Sequence, residues 1–210
     1  SASYYRNHTP DVPMIVGVCQ GETTGIFSAN INEKIVLEMA ELHGERKDEF
    51  LKLADLQTEA DVERLAKGYA LNRSLSATQG FCELWSSQGK KVWCYIFDHD
   101  IPGDDNAGSF HGSDLWFMFD SLGNAWRPFE GKHYDLARQV CSYWTNFVKT
   151  GDPNGDGKDY NGNPLPVWKA YASDHKYVIK FYDKPVLEEL DDCPLLSLRL
   201  DHGKKVWAEQ

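Results

Sequence analysis

At 210 residues, 41% hydrophobic and 13% aromatic with seven tryptophans, the chain can bury a full core as one globular unit. A net charge of -10 leaves no basic patch to neutralise phosphate, which argues against nucleic-acid binding. No apolar run approaches the ~20 residues of a membrane-spanning helix, and five cysteines at irregular spacing form neither a zinc pattern nor a disulfide framework.

Residues 1–10 are polar. Asp11 to Val18, DVPMIVGV, predicts a short buried strand, with proline at its entry and then Met14-Ile15-Val16. The turn-rich CQGETTGIF that follows carries one acid, Glu22; an acid in such a loop is ordinarily solvated. Residues 30–90 predict helices and carry no catalytic pattern. Asn32 is placed to cap a helix that buries Ile35, Met39 and Leu42 and stops at Gly44. A second helix fits Arg46 to Leu56. Thr58-x-x-Asp61 resembles a capping box with Asp in place of Glu or Gln. After it Val62, Leu65, Ala66, Tyr69 and Ala70 share one helical face, and Phe81, Leu84 and Trp85 repeat the spacing.

The run Lys91 to Phe119, KVWCYIFDHDIPGDDNAGSFHGSDLWFMF, has the most distinctive pattern. Val92 to Phe97 is apolar on both alternating faces, the signature of a strand buried on both sides. Asp98-His99-Asp100, Pro102-Gly103 and Asp104-Asp105-Asn106 then impose a polar loop. Out of it comes His111, followed by the apolar run Leu115 to Phe119. A histidine in a loop after a buried strand is where α/β enzymes place chemistry, although a loop histidine taken alone is more often structural.

Downstream, Leu136, Val140, Tyr143, Trp144, Phe147 and Val148 form a helical stripe ending at Gly151, most simply core. Cys94 and Cys141 sit among apolar residues and read as buried free thiols. Asp152 to Gly157 resembles the front half of a calcium loop, but its twelfth position is Asn163 rather than the bidentate Glu such a loop needs, so no metal is assigned. Tyr177 to Tyr182 alternates and suits an edge strand.

Five blocks in order, YIFDHDIPG, GSFHGSDLWFMF, NAWRPF, YWTNFVKTGDPNG and LPVWKAY, resemble the C-terminal part of the type-B carboxylesterases, the cholinesterase-like branch of the α/β-hydrolase superfamily. The resemblance covers about Pro13 to Tyr171. It implies an α/β fold with a few-stranded sheet, the seventh- and eighth-strand equivalents plus an edge strand, covered by several helices. Residues 1–210 then form a single domain, the C-terminal fragment of a carboxylesterase. Its parts are a strand and acid turn (11–27), a helical insertion (30–90), a strand and catalytic-histidine loop (91–119) and a C-terminal helix with the edge strand (131–210). By resemblance His111 is the general base of a Ser-His-Glu triad and Glu22 its acid, with Phe27 near a family aromatic. Gly21-Glu22-Thr23-Thr24 departs from the family's Asp-Glu-Gly-Ser. Asp114 matches a family acid near the site that is not the triad acid, and reads as structural or supporting. Asp100, Asp104 and Asp105, nearer in sequence, are the alternative partners of His111.

The nucleophile is missing. The superfamily holds it in Gly-x-Ser-x-Gly, and no serine here has glycine at both -2 and +2; a glycine-rich segment for an oxyanion hole is also absent. The resemblance therefore implies two-thirds of a triad, with a small carboxylic ester as substrate of the intact protein, the N-terminal part of the same esterase as partner, and no cofactor. The alternative is a non-catalytic, adhesion-type relative used for binding. By the same resemblance the first predicted strand lacks the sixth-strand neighbour of an intact hydrolase, which implies a homo-oligomer of the isolated chain.

Overall fold

The computed structural model describes residues 10–22, 32–67, 73–191 and 193–209. One sheet orders its strands in sequence: β1 (Met14–Cys19), β2 (Val92–Phe97), β3 (Tyr177–Phe181) and β4 (Pro185–Glu189). The first three run parallel, and β4 returns antiparallel to β3. Around them lie α1 (Glu33–Glu41), α2 (Lys47–Ala54), α3 (Glu59–Lys67), α4 (Arg73–Ser87), the single turn α5 (Leu115–Met118), α6 (Gly131–Thr150) and α7 (Pro194–Glu209).

Strand β2 is buried at all six positions, as its unbroken apolar run predicts. Its side chains divide by parity, as pleating requires. Val92, Cys94 and Ile96 join Leu75, Cys82 and Trp85 of α4 on one face. Trp93, Tyr95 and Phe97 join Leu136, Val140 and Tyr143 of α6, with Trp168 and Phe181, on the other. Each such side chain contributes about 1.5–3 kcal/mol when fully buried. Gly17 of β1 lies opposite Tyr95, and a Cβ on it would sit 2.0 Å from the ring, so only glycine lets the strands pair beneath that aromatic.

The insertion serves two layers. Helix α4 covers the sheet, whereas Val36, Ala40, Phe50, Ala54 and Leu65 of α1–α3 form a separate cluster with Leu195 and Leu198 of α7. Asn32 caps α1 as expected, its Oδ1 accepting from Ile35 N at 3.1 Å. The buried face is turned by one residue, however. Val36 and Ala40 lie at its centre, Ile35 and Met39 are half-buried, and Leu42 is exposed. The expected box at Thr58 is half made: Asp61 Oδ2 accepts from Thr58 N at 2.8 Å but also takes the Thr58 hydroxyl, at 2.9 Å. The expected contacts of Phe27, Tyr69 and Ala70 lie outside the described residues.

Helix α6 begins with a reciprocal cap between Glu130 and His133 and ends at Gly151, φ +75°, the left-handed stop that its sequence predicts. Leu136, Val140 and Tyr143 are fully buried, but Val148 is 82% exposed, because the stripe has rotated to solvent by the last turn. Cys94 is buried as expected; Cys141 is only half-buried, and both are free thiols. The predicted edge strand is in fact interior. Lys180 of β3 reads as an edge residue, yet it is buried and paired with Glu188 of β4 at 2.6 Å, so two charged strands that look solvent-facing satisfy each other. The described edges are β1 and β4.

Candidate active site

Parallel pairing in one register ends β1 and β2 together, with Cys19 opposite Phe97. Past that end the two chains stay linked: Gln20 N donates to Phe97 O at 2.8 Å. Gly21 forms a parallel bridge with Phe110, its N–H reaching Ser109 O at 3.0 Å and Ser109 Oγ at 3.3 Å. The next residues on either side of this bridge are Glu22 and His111. They are 89 positions apart in sequence, and His111 Nδ1 lies 2.6 Å from Glu22 Oε2. The other carboxylate oxygen accepts from Cys19 N at 3.3 Å. Glu22 is thus held at both oxygens, with its side chain 16% exposed, while the imidazole is 76% exposed.

A carboxylate can only accept, so Nδ1 carries the hydrogen, and in the neutral ring Nε2 then keeps its lone pair. This tautomer is the one a general base needs. No serine or cysteine side chain hydrogen-bonds to His111 among the described residues.

Behind the pair lies a buried polar cluster. Asp114 precedes α5 but its carboxylate does not cap that turn; its Oδ2 accepts from the Tyr95 hydroxyl at 2.9 Å. Burial pushes the Asp114 carboxyl above its ordinary value, with the Tyr95 hydrogen bond opposing and the Glu22 charge adding to the rise. Burial first, and then the Asp114 charge, push Tyr95 upward too. The same two causes push the Cys19 thiol up to about 12, and its sulfur sits 3.9 Å from Ser113 Oγ.

The acids nearer in sequence are elsewhere. Asp100 and Asp104 are exposed, and Asp105 is held by Arg127 through paired contacts of 2.5 and 2.8 Å. The guanidinium of Arg127 lies over the Trp126 ring, 4.1 Å from its centroid, and 5.7 Å from that of Phe110. Sequence reasoning missed Arg127 and Tyr95. The only signal was the arginine in NAWRPF, a cation amid aromatics. It also left His99 unexplained: that ring is 1% exposed among Phe97, Phe117 and His133, with Nδ1 3.2 Å from Asp183 Oδ1 but outside hydrogen-bond geometry. Burial depresses His99 to about 4 and keeps it neutral.

The calcium-like loop is filled by protein groups. Asp152 Oδ1 accepts from the backbone and side-chain amides of Asn154, and Asp156 accepts from Lys158 N. Asp159 takes Arg138 Nε at 2.7 Å together with Asn161 and Asn163. No group of three metal-ligating side chains occurs among the described residues.

A model of the carboxylesterase family matches residues 61–193. Carboxylesterase 4A of Bos taurus is 36% identical over 99 residues, covering 43% of this chain and 16% of that protein. Acetylcholinesterase of Gallus gallus is 33% identical over 95 residues, 44% of this chain and 12% of that protein. Among solved structures, a PNB esterase superposes over 94% of this chain and 40% of its own, with a TM-score of 0.68 at 16% identity. An esterase from Clostridium hathewayi, described as hydrolysing aliphatic aromatic polyesters, covers 90% and 38%, with a TM-score of 0.54 at 21% identity. The chain therefore spans about a sixth or less of these curated relatives and about two fifths of the solved esterases.

Proposed function

Because the chain belongs to the carboxylesterase family and carries part of an α/β-hydrolase fold, we propose that it supplies the acid and the base of a serine ester hydrolase. The observation that carries this reading is the 2.6 Å contact between His111 Nδ1 and Glu22 Oε2, just past the Gly21–Phe110 bridge. The nucleophile comes from an N-terminal part of the same protein, in a Gly-x-Ser-x-Gly turn. There a serine hydroxyl, itself a poor nucleophile at neutral pH, gives its proton to His111 Nε2 as it attacks the ester carbonyl. The imidazolium so formed faces the Glu22 carboxylate, which stabilises its charge and has already fixed the ring. Nε2–H then donates to the leaving alkoxide, and a second cycle with water releases the acid. Asp114 takes no proton in this scheme; it is buried against Tyr95 and supports the loop that carries the base.

Two assays test the reading. This chain alone, given a short-chain nitrophenyl ester, shows no saturable turnover; turnover abolished by a single substitution in these 210 residues would overturn the missing-nucleophile reading. In the parent enzyme, His111→Ala lowers kcat by roughly 10⁴ or more, and Glu22→Gln is severe but milder. If Glu22→Gln is harmless while Asp100→Asn or Asp104→Asn cripples the enzyme, the acid is misassigned.

A further inference from the structure

We infer that Arg127 is a positioning residue for the acid–base pair, acting through the loop that ends at His111; this rests on the reading of that pair given above. The loop from His99 to Ala107 has irregular backbone. Asn106 and Gly108 take positive φ, and among the described residues none of its backbone N–H groups donates to another element's backbone. Its form depends on side-chain links, and Arg127 supplies a double one. The planar guanidinium makes a two-pronged contact with Asp105, and its Nη1 also approaches Pro102 O at 3.4 Å. Gly103 leaves space for this fork, since a Cβ there would meet Nη1 at 2.3 Å.

The burial is lopsided. The Arg127 side chain is 1% exposed, whereas Asp105 is 42% exposed. A buried cation must keep its partner, so the cost of desolvating Arg127 falls on holding the loop in place. The same group lies 5.7 Å from the ring centroid of Phe110, the residue immediately before His111 and the one bridged to Gly21, immediately before Glu22. Acid and base therefore each follow one partner of the same parallel bridge, and Arg127 braces that bridge through Phe110. Lysine cannot replace the function, because a point charge lacks both the fork and the flat face.

The test reads the tautomer of His111 in the ¹⁵N-labelled 210-residue chain, by long-range ¹H–¹⁵N correlation from the carbon-bound ring protons above the histidine titration. The wild-type ring is in the Nδ1–H form that donates to Glu22. Arg127→Met and Asp105→Asn each move most of the population to the Nε2–H form that free imidazole prefers in water, and Arg127→Lys falls between. In the parent enzyme the same changes lower kcat by roughly 10², the scale of a small misplacement, with KM unchanged. A purely structural role gives another result: thermal midpoints fall, yet His111 stays in the Nδ1–H form in every folded variant, and this would overturn the inference. Should Arg127→Met fail to fold, Asp105→Asn decides alone. A wild-type ring already in the Nε2–H form sinks the acid–base reading itself, a different failure from an unmoved variant.

Discussion

Changing Tyr95 to Phe removes one oxygen and almost no volume, so its cost isolates the hydrogen bond to Asp114. That bond is 2.9 Å long, and both partners are buried. Deleting the donor leaves a buried carboxylate oxygen without it, which costs about 1–3 kcal/mol, against about 1 kcal/mol for an ordinary neutral bond. With a chain of this size, about 2 kcal/mol corresponds to a melting shift of roughly 4–8 °C. The cost depends on pH. Asp114 is raised above its ordinary value of 3.8 by burial, so the fold prefers its protonated form. Its burial costs nothing when the group is protonated in both states. The penalty grows as pH climbs from 3.8 through the folded value and is complete above it. The Tyr95 hydroxyl relieves the penalty, since it favours the ionised form. Tyr95→Phe therefore costs more at pH 8 than at pH 4, as read by urea unfolding at both. Asp114→Asn makes the cost pH-independent. Tyr143→Phe, which loses a 2.6 Å bond to the neutral Pro166 carbonyl, serves as the reference. Equal losses at the two pH values, or a loss at pH 8 no greater than that of Tyr143→Phe, would refute the reasoning.

Gly17→Ala pushes a methyl into the Tyr95 ring and should destabilise the chain by about 1–3 kcal/mol in denaturant unfolding; a neutral effect would mean that β1 can slide off the ring. His99, depressed from 6.5 to about 4, contributes stability that is complete above pH 6.5 and lost as pH falls toward 4. Replacing it with Asn should make that limb of the stability–pH curve shallower, leaving the part due to His43, which is likewise depressed to about 4, and an unchanged limb would discredit the assignment. We expect the isolated chain to self-associate through the side of β1 that no described strand pairs, with Met14, Ile15 and Val16 at or near the contact. Light scattering after gel filtration at tens of micromolar should exceed the monomer mass, and a clean 23.9 kDa species would defeat this expectation.

Much of the fold could be read from apolar pattern. Val92 to Phe97 and the α6 stripe announce themselves because burial on several sides leaves no room for polar residues. Strand β3 was legible as a strand but not as an interior one, and β4 was not read, because Lys180 is covered only once it pairs with Glu188 across the hairpin. Glu22 and His111 were singled out through family blocks, and the structure brings the two side chains to 2.6 Å. Arg127 was not, since its importance lies in burial, and arginines are ordinarily exposed. Val148 and Leu42 mark the limit of helical periodicity, which gives the apolar stripe but not where the packing stops.

Glu22 and His111 each follow one partner of the Gly21–Phe110 bridge, which continues the parallel pairing of β1 and β2, so their separation is set across that bridge and not by the intervening stretch of sequence. Length changes in α1–α3, which pack with α7 in a cluster of their own, leave that spacing untouched. Selection or design can therefore rebuild this helical layer, by insertion, deletion or exchange with a relative, without moving Glu22 against His111. What varies is the surroundings of the pair, while the pair itself stays fixed to the bridge.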